Sequence, residues 1–244
     1  MSLVILVTGS NTGIGLSLVR FLASKPEKHT VYLAARNQKS GNDALITLQS
    51  DGLSNVKFVQ LDVTSKSSIQ SAAETVQKAE GKLDVLVHNA GLAKMDATQD
   101  ASSVDTNVIK ETMEVNLYGV IHTTQTFLPL LRQSKKPTIL LVTTDMASNT
   151  HQSQPDSFLH VVAYNTSKAA ANSYLIALAN ELKGDGFRVN AVTPGFTTTK
   201  LNGFAEGGKT TEQAAELLAE WALLDGELDG KTGLFWSDKG EFPW

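Results

Sequence analysis

"LVILVTGSNTGIGLSLVRFL", residues 3–22, passes from an apolar run through a glycine-rich turn into an amphipathic stretch, and its reading decides the fold. The run at 3–8 is apolar on consecutive positions, which predicts a strand covered on both faces of a sheet. Gly9, Gly13 and Gly15 follow with the spacing TGxxxGxG, and a helix is predicted near 14–24. Strand, glycine turn and helix in that order form the context in which such a motif binds a dinucleotide. Gly9 permits a tight turn, Gly13 lets the backbone approach a pyrophosphate, and Gly15 allows the helix to pack closely on its strand. The free N–H groups and dipole of the helix end favour the anion.

The same alternation continues along the chain. Strands are predicted at 30–35, 56–60, 83–88, 138–143, 188–192 and 232–236, with helices near 40–51, 66–80, 104–132, 163–183 and 210–224. Strands alternating with helices predict an α/β fold: a Rossmann-type doubly wound parallel β-sheet flanked by helices, joined by right-handed crossovers. No repeat or Pro/Gly/Ser linker divides it, so residues 1–244 read as one dinucleotide-binding domain. Ligands of such sheets lie beyond the carboxyl ends of the strands. The irregular stretches 145–162 and 194–209 both follow strands, and the segments 145–162 and 196–224 are expected to cover a substrate.

Composition narrows the function. The chain has 41% hydrophobic and 19% charged residues and a net charge of -4, which offers no electrostatic footprint for nucleic acid or anionic membrane. Zero cysteines exclude disulfides, thiolate metal sites and thiol nucleophiles. The first apolar run lacks a basic flank and is too short for a signal peptide or a span, so a soluble cytoplasmic protein is expected. The five histidines show no zinc spacing, and no metal is expected.

Candidate ligand contacts fall at strand ends. Arg36 closes the second strand in "VYLAARNQ", where an acid would take a ribose hydroxyl and an arginine a 2′-phosphate, so NADP(H) is preferred to NAD(H). Asn11 and Thr12 are candidate helpers at that phosphate. Asp62, in "FVQLDVTS", either accepts from an adenine amino group or serves as a turn residue. Asn89-Ala90-Gly91 and Pro194-Gly195 end the fourth and sixth strands, beside a ribose and a nicotinamide respectively. "VVAYNTSKAAANSYLIALANEL", residues 161–182, places Tyr164 and Lys168 four apart on one helical face. A free phenol has a pKa of about 10, and an ammonium within about 4–6 Å lowers it by roughly 1–3 units. That pairing makes a proton-handling group.

These motifs together, in this order along essentially the whole chain, resemble the short-chain dehydrogenase/reductase family. Arg36 and the ending "DGKTGLFWSDKGEFPW" are similar to its NADPH-dependent carbonyl reductases. The resemblance implies Tyr164 as general acid toward a carbonyl oxygen and Lys168 on the nicotinamide ribose, lowering the tyrosine's pKa. It implies Asn116 as holder of a water linking Lys168 to solvent, and Thr197 and Thr199 as contacts to the carboxamide and a nearby phosphate. Ile14 and Val63 join the cofactor set beside their motif neighbours. The family's catalytic serine is replaced: strand alignment puts Thr144 in that place, with Thr143 and Ser148 as competitors. The threonine keeps the hydroxyl but stiffens χ1.

The expected substrate is a small ketone, aldehyde or quinone, in a pocket drawing on Met146, Phe158, Phe196, Leu201 and Phe204, whereas Trp221 is expected in the core. Alcohol oxidation by the same residues and a non-catalytic NADP(H) sensor are the alternatives. Self-association as a homodimer or homotetramer is expected from the family.

Overall fold

In the computed structural model of the chain, residues 2–157 and 160–244 are described, so Phe158 lies outside the described residues. Among the described residues the strands are β1 (Val4–Thr8), β2 (Thr30–Ala35), β3 (Val56–Gln60), β4 (Val85–His88), β5 (Thr138–Val142), β6 (Arg188–Val192), β7 (Phe235–Ser237) and β8 (Gly240–Glu241). They form one sheet in the order β3-β2-β1-β4-β5-β6-β7-β8. Strands β1 to β7 pair in parallel, and β8 turns back antiparallel on β7. The first six strands have the order of a doubly wound dinucleotide fold, which reverses beside β1 and opens a crevice there.

The helices are α1 (Gly13–Ala23), α2 (Gln38–Ser50), α3 (Lys66–Glu80), α4 (Thr106–Met113), α5 (Gly119–Leu131), α6 (Asn149–Gln152), α7 (Val162–Leu182) and α8 (Thr211–Leu223). The consecutive apolar runs serve two cores at once, because strand side chains alternate between faces. Leu6, Leu86, Ile139 and Leu141 point to one face, with Ile69 of α3, Phe127 of α5 and Leu175 of α7. Ile5, Val7, Val87 and Leu140 point to the other, with Leu18 of α1, Leu48 of α2 and Trp221 of α8. Trp221 is 1% exposed, as expected for a core residue.

Three local features differ from the sequence expectation. The predicted helix 104–132 is broken between α4 and α5 by a π-helical turn, Glu114–Tyr118. Asn116 sits inside that turn and pairs with backbone outside the helix, a tertiary demand that helical periodicity does not register. The last parallel strand begins at Phe235 rather than 232, because Gly233 at φ +75° interrupts the extended run. The β7–β8 hairpin was not anticipated. It carries Phe242 and Trp244 back onto Phe235, with ring centroids 5.1 and 5.4 Å apart.

One buried titratable group ties the fold to pH. His88, at the end of β4, is 2% exposed, and its Nε2 lies 2.9 Å from Thr124 Oγ1. Burial, reinforced by the Lys168 charge, pushes its pKa down from 6.5 to about 3. Between those values the unfolded imidazole takes up a proton that the folded one refuses. This contribution to stability is therefore present above pH 6.5 and is lost as pH falls toward 3, on the order of 5 kcal/mol in full. Denaturant unfolding across that window should show the wild type losing its advantage over His88→Gln; a pH-independent difference would refute the assignment.

Candidate active site

The carboxyl ends of β1, β2, β4, β5 and β6 open into one cavity of about 1020 Å³, at the upper end of the range for cofactor and ligand sites. The glycine turn lines its floor. Gly9 adopts φ +61°, and a Cβ there would lie 2.7 Å from Ala90 Cα. Gly15 is closed in by Asn89, with Ser10 Cα only 2.8 Å from where a Cβ would sit. The sequence reading had Gly15 packing on its own strand; the structure packs it against the Asn89-Ala90-Gly91 turn as well. Gly13, at φ +59°, faces open space with nothing within 4 Å, so its backbone is approachable from the cavity.

Thr8 and Asn89 lock the two turns together. Thr8 Oγ1 accepts from the Asn89 and Ala90 N–H groups at 3.0 and 3.1 Å, while Asn89 Nδ2 donates to the Thr8 and Gly9 carbonyls at 2.9 and 3.0 Å. The N-terminus of α1 is left open. Its N-cap residue, Thr12, makes no side-chain cap bond and no acid occupies the first turn. By contrast, α2, α3, α4 and α8 are capped by Asn37, Ser65, Asp105 and Thr210. Unsatisfied amides facing a cavity make an anion site, which fits a dinucleotide's pyrophosphate. Ile14 lines the cavity beside it.

Arg36 is exposed and lines the cavity, and among the described residues no carboxylate pairs with it. Asn11 and Thr12 line the cavity as well. Asp62 and Val63 line it too, but Asp62 Oδ1 already accepts from the Thr64 N–H and hydroxyl at 2.9 and 2.7 Å. Asp62 therefore serves as a turn residue and also lines the cavity. Pro194, Gly195, Thr197 and Thr199 form the opposite rim.

Tyr164 and Lys168 project from the first turns of α7 into this cavity, 8% and 3% exposed. Burial pushes the Lys168 ammonium down to about 8. Its Nζ donates to the Val142 carbonyl at 2.9 Å. The expected lowering of the Tyr164 pKa is corrected here: burial, and then the negative charge of Asp145, raise it. The desolvation cost of a phenolate outweighs an ammonium that is aimed at a backbone carbonyl. Gly91 borders the pair, since a Cβ on it would come within 3.7 Å of Lys168 Nζ.

Asn116 lies behind the cavity wall. It is fully buried and absent from the cavity lining. Its Oδ1 accepts from Leu92 N–H at 2.9 Å, and its Nδ2 donates to the Leu92 carbonyl and to Ser167 Oγ at 2.8 and 2.9 Å. Both amide protons are thus used in fastening the loop after β4 to α7, so the side chain has no donor left for a water.

The three hydroxyl candidates separate cleanly. Thr144 lines the cavity, its Oγ1 donating to Asp145 Oδ1 at 3.0 Å. Thr143 also reaches the lining, but its hydroxyl donates to Asn172 Oδ1 at 2.9 Å, on the buried side. Ser148 is buried away from the cavity and donates to the Trp244 carbonyl.

Of the segments expected to cover a substrate, 145–157 and 196–202 contribute lining residues, including Met146, Phe196 and Leu201. Helix α8 packs on the core instead, and Phe204, 65% exposed, lies outside the lining. Several residues that shape the site escaped the sequence reading. Gln99 Oε1 accepts from the Ala163 and Tyr164 N–H groups at 3.1 and 3.3 Å, replacing an N-cap for α7. Thr193 Oγ1 accepts from Asp145 N–H and Gly195 N–H, both at 3.2 Å, joining the two rims. Gln99 sits in a polar loop with no motif to signal it; Thr193 immediately precedes the Pro-Gly turn.

His151 of α6 lines the cavity, and its ring is backed by Phe242 at 5.5 Å. Phe242→Ala should therefore slacken this wall. Steady-state kinetics should show a several-fold higher KM for the second substrate with dinucleotide affinity unchanged; an equal change in both would place Phe242 in general stability.

Known proteins share this chain's sequence pattern and fold. The sequence pattern of the short chain dehydrogenase family matches residues 3–208. (+)-Neomenthol dehydrogenase of Arabidopsis thaliana is 32% identical, the alignment covering 96% of this chain and 95% of that protein. The structure of salutaridine reductase from Papaver somniferum superposes with a TM-score of 0.80 at 28% identity, over 96% of this chain and 99% of that one. An NADPH-bound carbonyl reductase from chicken fatty liver superposes with a TM-score of 0.88 over 100% and 99% of the two chains, at 23% identity, and shows the shared fold.

Proposed function

The chain belongs to the short-chain dehydrogenase family, and from that premise we propose that it is an NADPH-dependent oxidoreductase reducing a ketone or aldehyde to an alcohol, with Tyr164 as general acid. One observation carries the reading: Tyr164, Lys168, the open end of α1 and Arg36 all face a single cavity. NADP(H), when bound, supplies or takes the hydride; the protein contributes position, charge and exclusion of water.

The α1 amides and Gly13 would hold the pyrophosphate, and Arg36, with Asn11 and Thr12, would take the 2′-phosphate. Asp62 and Val63 would serve the adenosine, and Asn89, Ala90, Gly91 and Lys168 the nicotinamide ribose. Pro194, Gly195, Thr197 and Thr199 would hold the nicotinamide. Tyr164 gives its proton to the carbonyl oxygen, and the Thr144 hydroxyl, turning from Asp145 Oδ1, donates to the same oxygen as alkoxide character grows. Asn116 acts as a positioning residue through Leu92 and Ser167. The same groups run alcohol oxidation in reverse, a direction favoured by the name of the Arabidopsis relative.

The test is NADPH consumption against a panel of ketones, aldehydes and quinones, with binding of NADPH and NADH measured alongside. An enzyme turns over at least one carbonyl; a sensor binds NADPH and consumes none. Arg36→Ala should weaken NADPH about 10–100-fold, the worth of one charge-assisted phosphate contact, and leave NADH unchanged. Tighter binding of NADH than NADPH by the wild type refutes the Arg36 assignment. A cytoplasmic setting and self-association as a homodimer or homotetramer complete the proposal, the latter read directly by light scattering.

A further inference from the structure

The cavity contains a carboxylate that reduction of a neutral carbonyl does not require. Asp145 follows Thr144 in a 3-10 turn, half-buried, and lines the cavity. It is fixed in place: Oδ1 accepts from the Thr144 hydroxyl and from Met146 N–H, both at 3.0 Å, and its own N–H donates to Thr193 Oγ1. Among the described residues no lysine, arginine or histidine forms an ion pair with it. Its charge is felt by Tyr164. The same cavity is walled by Met95, Met146, Phe196 and Leu201.

An oriented carboxylate without an ion-pair partner, in a cavity whose lining includes these apolar side chains, favours a cation over a neutral guest of the same shape. A neutral ketone filling the pocket strips water from the carboxylate and returns nothing, whereas an ammonium compensates the loss. The ammonium also offsets the negative charge that opposes phenolate formation at Tyr164, so the benefit extends to the proton-transfer step. Resting on the reductase reading above, we propose that Asp145 determines specificity by selecting carbonyl substrates that carry a protonated amine.

The experiment compares two aryl ketones of matched shape, one bearing a tertiary amine and the other the isosteric branched alkyl group. With NADPH, the wild type should show kcat/KM about tenfold or more higher for the amine, and Asp145→Asn should bring the ratio close to one. Because the ratio is taken within each variant, any general loss of activity cancels. Calorimetric titration of both ketones into the NADPH-loaded protein reads the same preference without turnover. If the whole carbonyl panel and both ketones go unreduced but the amine binds more tightly in an Asp145-dependent way, the reductase reading fails and the cation site stands. Equal affinity for both compounds, or a preference that survives Asp145→Asn, overturns it. So does an Asp145→Asn change confined to the ratio of NADP+ to NADPH affinity, which would assign the charge to the nicotinamide.

Discussion

Tyr164→Phe is expected to lower turnover by about three orders of magnitude while leaving NADPH affinity within a few-fold, the scale of a lost general acid. The substitution removes one oxygen and keeps the ring, which packs with Ala93, Val161 and Met146. The backbone of Tyr164 is held by Gln99 and Ser167, neither of which touches the phenol oxygen. The fold and the cofactor half of the cavity should therefore survive. The raised pKa of the buried phenol keeps it protonated throughout the neutral range, so it enters a reduction ready to donate. Lys168, brought down to about 8, carries its charge at neutral pH and sheds it above that value. Steady-state NADPH oxidation and a fluorescence titration decide the matter. Turnover within tenfold of wild type would remove Tyr164 from the chemistry.

Gly15→Ala should be nearly as damaging, through geometry instead of chemistry. An added Cβ meets the Asn89 amide, and lies 2.8 Å from Ser10 Cα and 2.9 Å from the Gly9 carbonyl. The latter two are backbone atoms of the turn itself, so the strain cannot be relieved by a side-chain rotation. Overpacking of this kind costs typically about 1–3 kcal/mol. For a chain of this size that is a fall in Tm of roughly 2–12 °C. Displacing Asn89 also disturbs its two bonds to the Thr8 and Gly9 carbonyls, and with them the approach to the pyrophosphate. NADPH affinity is expected to drop about 100-fold. A variant with unchanged melting temperature and unchanged affinity would show that the close packing here is immaterial.

The strands, their parallel order and the residues gathered at the strand ends were legible because each depends on short-range pattern. Consecutive apolar positions demand a sheet buried on both faces, and glycine spacing between strand and helix demands a backbone that something must approach closely. Every predicted cofactor residue from Gly9 to Thr199 lines the cavity as a result. Periodicity was blind to the π turn around Asn116, since that turn answers to a partner 24 residues away. It was equally blind to Gln99, which caps a helix more than 60 residues further on.

The sequence by itself determined which groups exist at which strand ends, and so the kind of chemistry open to the chain. Tertiary structure alone decided their electrostatic state and their partners. It made the phenol less acidic rather than more, left Thr144 lining the cavity while Ser148 turned away, tied Asn116 to Leu92 and Ser167, and set Asp145 in the cavity wall without an ion-pair partner among the described residues. The reason is physical: identity and spacing are encoded locally, whereas desolvation and hydrogen-bond saturation depend on everything that packs around a group.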